Sequence, residues 1–381
     1  MKKLLLASAV AASFVSTAAY ADTRINGFAN FTAGVALDEN EVYGYDEDID
    51  FNQHSLFAIQ LSSDINDKVS ATGQIIARGS NDFDAKFEWA YLTYKASDNL
   101  SVSAGRLRAP LFLYSESLDV GYSYHWVDAP QTVYDIVFNN LDGIRLDYNT
   151  YAGDWELGAQ FAFGVIDNPD IGPASDGSAN AFKGNNTIIV TLNAGYESFK
   201  GRVVYGQTSA SGSFADVDTL LATLEQISPS FADQVEVDDD TGQFFGVALS
   251  YDNFDWFVNA EYTLVQNEDV FFQDDAAYYV SAGTRMGKLT PSITYQRRDG
   301  EDGYHYTDQI AALPAAFQAA LGPVIVGLEE SQFEDYSMVS LGLRYDWNTQ
   351  IALKGEIVAF EDRLDGDNDT TMFRLAVNYV F

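Results

Sequence analysis

The sequence predicts an all-β fold: a 16-stranded antiparallel transmembrane β-barrel with short periplasmic turns and long outer loops. Three observations lead to this prediction. Apolar and polar residues alternate with a period of two through many segments of about ten residues. Short and long connections between these segments alternate along the chain. Beyond residue 21 no run of about 18 apolar residues occurs, so a helical membrane span is not expected.

The alternation is clearest in the last segment, residues 370–381. One face of this segment is apolar and carries Phe373, Leu375, Val377, Tyr379 and Phe381. The other face carries Arg374 at mid-length. A charge that faces lipid at mid-depth costs about 2–4 kcal/mol, whereas a charge that faces a polar lumen meets water. The same pattern occurs in residues 155–163, 188–196, 256–264, 337–345 and 350–360.

The connections between the segments are of two kinds. The short ones are rich in turn-forming residues and lie at 64–67, 97–99, 151–154, 198–200, 252–253, 287 and 346–348. The long ones are polar and acidic and lie near 38–52, 80–85, 107–141, 166–185, 211–241, 268–275, 300–334 and 361–369. A water-soluble β-sandwich would show turns of mixed length. The strict alternation instead predicts a barrel with both termini on the short-turn side.

Two further patterns refine this barrel. Aromatic residues cluster near the short turns, where an interfacial girdle is expected: Tyr94, Tyr148, Trp155, Tyr196, Tyr251, Trp256, Tyr345, Tyr379 and Phe381. Two of the long connections contain apolar residues at helical spacing, in 217–227 and in 309–321. We expect each of these two segments to form a small amphipathic helix over the outer loops.

Residues 1–21 have the features of a signal peptide. Lys2 and Lys3 precede an apolar stretch over 4–15, and Ala19-Tyr20-Ala21 resembles a cleavage site. We expect the mature chain to begin at Asp22 and to form one barrel domain over 22–381. Removing two lysines and no acids changes the formal charge from −35 to −37. Such a charge excludes nucleic-acid binding through a basic face.

Three short segments carry a resemblance to a known family. They are Arg24-Ile25-Asn26-Gly27-Phe28 in the first strand, Ala104-Gly105-Arg106 before the third long loop, and Val377-Asn378-Tyr379-Val380-Phe381 at the end. In this order, after a signal peptide, they resemble the Gram-negative general porins over the whole mature chain. The third loop lacks the Pro-Glu-Phe-Gly segment of enteric members. The resemblance implies trimers, a third loop folded into the lumen, and an electrostatic constriction.

Charged residues on the lumen face are the candidates for this constriction. Alternation places there Arg78, Arg145, Arg285, Arg298, Arg344, Arg374 and Lys354. The third loop, 107–141, contains Glu116, Asp119, Asp128 and Asp135. The family opposes a basic wall to an acidic loop. Carried over residue by residue, the resemblance implies a basic wall of Arg78, Arg106, Arg145 and Arg374 facing Glu116 and Asp119. The alternative interpretation is that these residues are ordinary lumen charges without special geometry.

The third loop is also aromatic, which leaves two interpretations open. Its aromatic residues are Phe112, Tyr114, Tyr122, Tyr124, His125, Trp126 and Tyr134. We expect them to pack the loop against the barrel wall. The alternative is a substrate-specific porin for sugars or anions, with a saturable site formed by these rings.

Neither an enzyme nor a metal site is expected from this sequence. The three histidines, His54, His125 and His305, are far apart in the chain. The spacing of Asp365, Asp367 and Asp369 resembles a calcium loop, but the Gly and Glu that such a loop requires at its sixth and twelfth positions are missing. We therefore interpret these acids as solvated loop residues. No cofactor is predicted.

These observations together predict an outer-membrane porin for passive diffusion of small hydrophilic solutes and ions. Its expected surroundings are outer-membrane lipid and lipopolysaccharide, and its expected partners are two further copies in a homotrimer. Phe381 resembles the terminal signal that the outer-membrane assembly machinery recognises. The acidic mouth and the basic wall have opposite effects on ion selectivity, and we predict a weak cation preference that fades at high salt.

Overall fold

The computed structural model describes residues 22–136, 139–172, 179–268, 271–300 and 303–381. The signal peptide predicted for residues 1–21 lies outside this range. Sixteen antiparallel strands form a closed barrel in which each strand pairs with its neighbours in sequence and β1 pairs with β16. The strands are β1 Asp22–Ala36, β2 Leu56–Asn66, β3 Val69–Arg78, β4 Ala85–Lys95, β5 Leu100–Arg108, β6 Asn140–Ala152, β7 Trp155–Asn168, β8 Ala181–Tyr196, β9 Phe199–Ser213, β10 Asp238–Asp252, β11 Trp256–Asn267, β12 Asp275–Thr284, β13 Leu289–Gly300, β14 Glu334–Asp346, β15 Ile351–Asp362 and β16 Thr370–Val380. The predicted fold class is confirmed.

The two faces of the strands differ as the alternation predicts. In β16, Phe373 and Leu375 are 42% and 49% exposed, whereas Arg374 and Asn378 are 3% and 0% exposed. The large exposed apolar side chains form the outward face, which meets lipid, and the polar side chains form the inward face. Because successive residues of a strand point to opposite sides, each exposed apolar residue identifies the face of its neighbours.

The connections follow the predicted order. Long connections span 37–55, 79–84, 109–139, 169–180, 214–237, 268–274, 301–333 and 363–369. Short ones span 67–68, 96–99, 153–154, 197–198, 253–255, 285–288 and 347–350. The third loop therefore comprises residues 109–139, two residues shorter at each end than predicted. The first residue of β1 and the last residue of β16 both lie on the short-turn side of the barrel.

Aromatic side chains form pairs near the short turns. Trp155 packs on Tyr196 with ring centroids 5.0 Å apart, and Tyr251 packs on Trp256 at 4.6 Å. Tyr379 stacks on Phe381 at 5.5 Å. These pairs include residues predicted for an interfacial girdle, and their position at one rim of the barrel fits that role.

Helices lie in the long connections. They are α1 Gln131–Tyr134, α2 Ala215–Ile227, α3 Pro229–Val235, α4 Thr307–Ala312 and α5 Ala315–Glu330, with 3-10 turns at Gly79–Asn81, Ser115–Ser117, Gly121–Ser123 and Gly366–Asn368. The helix predicted over 217–227 is present as α2. The single helix predicted over 309–321 is wrong, because the chain forms α4 and α5 with a break at Leu313 and Pro314. Proline disfavours helical geometry at the residue before it and has no N–H to donate.

The helices of the fifth and seventh loops pack on each other. Leu224 of α2, Val235 of α3 and Ile325 of α5 are fully buried in one apolar cluster. The two predicted amphipathic helices therefore do not lie separately on the loops. They share a small core above the long-loop rim. Within the described part of the chain, no helix is long and apolar enough to cross a membrane.

The barrel closes through its last residue. Phe381 and Gly27 exchange two backbone hydrogen bonds, each 3.0 Å long. The Phe381 ring lies over Gly27, where a Cβ would come within 2.2 Å of the ring. The ring also stacks near Phe57, with centroids 6.4 Å apart. Position 27 must therefore be glycine, because any side chain there would displace the terminal aromatic ring.

Candidate constriction site

Asp119 of the third loop is attached to the barrel wall by two arginines. Its Oδ1 accepts a hydrogen bond from Arg78 Nη2 at 2.7 Å, and its Oδ2 accepts one from Arg108 Nη2. Glu88 lies 3.0 Å from Arg78 Nη1 and 3.4 Å from Arg108 Nη1. Burial by itself raises the pKa of Asp119, but the two guanidinium groups lower it below its usual value. We call these four residues the Asp119 latch.

The predicted role of Asp119 as an open acid of the third loop is wrong. Asp119 was expected to face the basic wall across water, yet its side chain is only 10% exposed and is bonded to that wall. Glu88 was not predicted at all. The strand register shifts between Gln74 and Ile75 of the neighbouring β3, so Glu88 lies in a bulge. A bulge changes the face of the residues beyond it, and alternation alone does not reveal it.

Arg106, predicted as part of the basic wall, lies on the outward face. The register pairs Arg106 with Asp142 and Ala104 with Ile144, and Ile144 is 43% exposed. Since alternate residues share a face, Arg106 points outward with Ile144. Its guanidinium binds Asp142 through two hydrogen bonds of 2.8 and 2.9 Å. We therefore remove Arg106 from the wall.

Glu116 is an acid of the third loop that meets water. Its side chain is 64% exposed, and its Oε1 lies 3.5 Å from Arg145 Nη2. Arg145 Nε also donates to Asp147 at 3.0 Å. Glu116 and Arg145 thus form the opposed loop acid and wall base that the sequence predicts.

Arg202 lies on the same inward wall and is missing from the predicted set. Val203 and Tyr205 are 45% and 42% exposed, so alternation places Arg202 inward. Its guanidinium donates to Asn193 Oδ1 at 3.1 Å and to the backbone carbonyl of Pro110. The signal for Arg202 was present in the sequence, because apolar residues 203 and 205 define the outward face.

Arg374 and Lys354 are inward, as predicted, but they are buried against the third loop. Arg374 is 3.1 Å from Glu356 and donates to Gln131 Oε1 at 2.9 Å. Lys354 is 3% exposed, and its ammonium donates to the carbonyls of Gly121 and Trp126. Both cations therefore hold the loop. They do not line open water.

Other strands bind the third loop in the same way. Arg344 of β14 donates to the carbonyls of Tyr122 and Tyr124, both at 2.7 Å. On the opposite wall, Glu261 of β11 accepts from the Leu113 N–H at 2.8 Å and from the Tyr134 hydroxyl at 2.6 Å. The loop thus contacts inward side chains of strands on both sides of the barrel.

Four of the predicted aromatic residues pack the third loop, whereas Tyr114 and Tyr122 border the cavity of about 810 Å³. Phe112, Tyr124, Trp126 and Tyr134 are each at most 6% exposed and belong to one apolar cluster with inward residues of β7–β12. Trp126 Nε1 donates to the Thr294 hydroxyl at 2.8 Å. These rings are covered by protein, so they offer no free face for stacking on a solute.

Most inward arginines have a carboxylate partner. Besides the pairs above, these pairs join Arg285 to Asp252 at 2.7 Å, Arg298 to Asp275 at 2.6 Å and to Glu334 at 2.7 Å, and Arg344 to Asp346 at 2.8 Å. A passing ion interacts more weakly with a paired arginine than with an unpaired one, because the charge of the carboxylate opposes that of the guanidinium. The basic wall is therefore largely neutralised by its own neighbours.

Two large cavities border the third loop. One, of about 810 Å³, is lined by residues at the short-turn ends of β9–β14. The other, of about 600 Å³, is lined by the first loop and the long-loop end of β3. Tyr124 borders both cavities. Residues of the third loop therefore line both cavities.

His54 joins the first loop to the third. Its Nδ1 and the Tyr45 hydroxyl are 2.7 Å apart, and its Nε2 is 3.3 Å from Asp128. Burial lowers the pKa of His54, although Asp128 opposes this effect. Over the residues that the structure describes, no group of three His, Cys, Asp or Glu side chains is placed to hold a metal ion.

A sequence model of the Gram-negative porins matches residues 7–381. This chain belongs to the Gram-negative porin family. The porin is an outer-membrane channel for passive diffusion, as the sequence predicts. No curated protein matches its sequence.

Solved outer-membrane channels share the fold of this porin. The channel DcaP of Acinetobacter baumannii is 14% identical, with a TM-score of 0.58 over 96% of this chain and 99% of that one. The anion-selective porin of Comamonas acidovorans is 10% identical, with a TM-score of 0.58 over 94% and 99%. OmpF of Salmonella typhi, solved with daunomycin, is 14% identical, with a TM-score of 0.55 over 94% and 97%. At these identities the likeness concerns the fold alone.

Proposed function

We propose that this porin is a general diffusion channel with a weak cation preference, narrowed by its third loop. In this proposal the loop crosses the interior, and solutes pass between Glu116 and the wall that carries Arg145 and Arg202. The support is the set of contacts that the loop makes with inward side chains on both sides of the barrel, from Lys354 to Glu261. Glu116 remains exposed at 64% beside the wall.

The neutralised wall supports the cation preference. Arg78, Arg145, Arg298 and Arg374 each lie within 3.5 Å of at least one carboxylate. Arg202 and Lys354 are directed at backbone carbonyls of the loop. The formal charge of the chain is −35, and the long outer connections, such as residues 38–50, are rich in acids. Cations are concentrated near such a surface.

A general channel fits the loop better than a sugar-specific one. A saturable sugar site requires accessible aromatic faces, whereas Trp126 is 2% exposed and Phe112 is 2% exposed. Family and fold likewise indicate a channel in preference to an enzyme. His54 is engaged between the first and third loops, and His125 Nε2 lies 2.9 Å from the hydroxyl of Ser281 in β12.

Reversal potentials of purified porin in planar bilayers test this proposal. We expect weak selectivity for potassium over chloride at about 0.1 M salt, where the Debye length is about 10 Å, and almost none at 1 M, where it is about 3 Å. Glu116→Gln should shift the reversal potential toward anions, because it removes the exposed loop acid. Arg145→Gln should shift it toward cations.

Arg106→Gln is the matched control for Arg145→Gln. Both changes remove one arginine, but Arg106 faces outward and is paired with Asp142. We expect Arg106→Gln to leave selectivity unchanged. Chloride preference of the unmodified channel at low salt would overturn the proposal, since the wall would then outweigh the acidic mouth.

We also propose that the porin is a homotrimer in outer-membrane lipid and lipopolysaccharide, folded there by the assembly machinery. A structure of OmpT from Vibrio cholerae, 14% identical with a TM-score of 0.52 over 94% of this chain and 99% of that one, is described as a trimer. Analytical ultracentrifugation of the detergent-extracted porin should give the mass of three chains. A mass of one chain in mild detergent would contradict this state.

A further inference from the structure

An apolar cavity opens from the outer half of the barrel, beside the third loop. Its volume is about 360 Å³. It is bordered by Leu111 and Ile136 of the third loop and by side chains near the long-loop ends of β7–β11, among them Ile166, Ile189 and Phe244. We call this cavity the apolar pouch. The inward face of a barrel pore is normally polar, so an apolar cavity there requires an explanation.

Packing of the third loop accounts for only part of this apolar surface. Ile166, Ile189 and Phe244 touch the loop and are buried. Gly206 of β9 faces the same space. A Cβ at position 206 would meet Phe244, Ile189 and Leu111 at 3.6–3.7 Å, which is ordinary contact. A side chain could therefore be accommodated here, and the pouch is open in part because position 206 has none.

Carboxylates gather at one end of the pouch. Asp135, Asp275 and Glu334 border it, together with Arg298. Arg298 is 2.6 Å from Asp275 and 2.7 Å from Glu334, so it offsets part of their charge. With one guanidinium and three carboxylates, this end of the pouch is negative. An anion would be repelled there.

Asp135 is the acid that is open to a solute. The residue is exposed, and the charge of Arg298 acts on its carboxylate without a direct ion pair being formed between them in the part of the chain that the structure describes. It borders both the pouch and the outer cavity of about 600 Å³. A solute that enters from the long-loop side therefore reaches Asp135 where the two spaces meet.

We propose that the apolar pouch binds small organic cations, namely compact alkyl or aryl groups that carry a protonated amine. The apolar group occupies the space beside Gly206, Ile189 and Phe244, and the ammonium group lies at Asp135. A cavity of this volume is within the range of small-molecule sites, and a few polar groups in an apolar lining fix the orientation of a ligand. Sugars fit poorly, because their hydroxyl groups would be buried against apolar side chains.

Blocking of single channels tests this proposal. Phenylbutylamine added on the long-loop side should interrupt the current through the unmodified porin in a saturable way. Phenylbutanol has the same apolar group without the charge, and phenylbutyrate has the opposite charge. Both should block at least tenfold more weakly, since neither can donate a charged hydrogen bond to Asp135.

Two variants locate the block. Asp135→Asn should shorten the blocked times about tenfold for the amine, with little effect on phenylbutanol. Gly206→Leu should abolish block, because its side chain fills the pouch. Asp48→Asn is the matched control, since it removes an exposed acid of the first loop away from the pouch. It should leave the blocked times unchanged.

The outcomes distinguish binding of the amine in the apolar pouch from attraction of the amine to Glu116 at the proposed constriction. Loss of block in Glu116→Gln, with block retained in Gly206→Leu, would contradict the proposal that the amine binds in the pouch. Equal block by amine and alcohol would overturn the role of Asp135. Open-channel conductance in the absence of amine tests the diffusion function separately, so the failure of either proposal is recognisable. Purified variants with the same conductance and thermal unfolding as the unmodified porin establish correct folding.

Discussion

Asp119→Asn should release the third loop and raise the single-channel conductance. The change removes the charge that Arg78 and Arg108 share, and it leaves two largely buried guanidinium groups with Glu88 alone. Breaking a buried ion pair costs about 3–5 kcal/mol. We expect the lower end of this range because Glu88 remains, and we expect a lower temperature of unfolding and a broader distribution of conductance.

Glu116→Gln is the matched control for this change. It removes an acid of the same loop that is exposed, so it should alter selectivity without lowering the temperature of unfolding. A double-mutant cycle of Asp119→Asn with Arg108→Met should show strong non-additivity, since the two side chains are in direct contact. Unchanged conductance and stability in Asp119→Asn would show that other contacts hold the loop.

Acid should release the latch only at low pH. The pKa of Asp119 is lower in the folded porin than in the unfolded chain, so its carboxylate favours the folded state at every pH above the unfolded value, about 3.9. That contribution is lost as the pH falls below this value through the folded pKa. The difference in conductance between Asp119→Asn and the unmodified porin should therefore be the same at pH 5 and at pH 7, and it should disappear only in stronger acid.

Deletion of Phe381 should sharply reduce the amount of porin in the outer membrane. The proposed reason is loss of the terminal signal for the assembly machinery. The structure suggests a smaller effect on the barrel itself. Stacking of the ring contributes about 0.5–1.5 kcal/mol, and the two hydrogen bonds to Gly27 contribute about 1 kcal/mol each. Refolding of the shortened chain in detergent should therefore be only mildly impaired.

The comparison between cells and detergent distinguishes recognition from packing. Phe57→Leu is the matched control, because it removes one stacking partner of Phe381 and keeps the terminal residue. It should have a mild effect in both settings. Normal surface levels of the shortened chain, measured by surface labelling of intact cells, would show that the terminal residue is dispensable.

The barrel could be predicted from the sequence because its main signal is local. A strand with one face in lipid must place apolar residues at every second position, and residues 373–381 show this in five outward side chains, four of them in β16. Turn residues at the short connections then set the strand count. Pro314 is an equally local signal, because it marks the break between α4 and α5.

The constriction could be predicted only in part because it depends on distant contacts. Arg145 and Glu116 were identified by alternation and by position in the third loop. The outward position of Arg106 follows from the pairing of β5 with β6, which places Arg106 opposite Asp142 on the face of Ile144. The burial of Asp119 depends on Arg78, 41 positions earlier in the chain. The periodicity of the sequence does not indicate which acid of a folded loop will pair with an arginine of the barrel.

Pairing of the first strand with the last determines when the barrel can close. Phe28 is opposite Val380, so the ladder stays open at two edges until the final residues have been exported. Before that moment both edges present unpaired N–H and C=O groups that can join other chains. Closure also brings together the most distant parts of the sequence, which slows folding. The periplasmic precursor of this porin should therefore depend on chaperones that shield strand edges, and it should aggregate when export outpaces insertion.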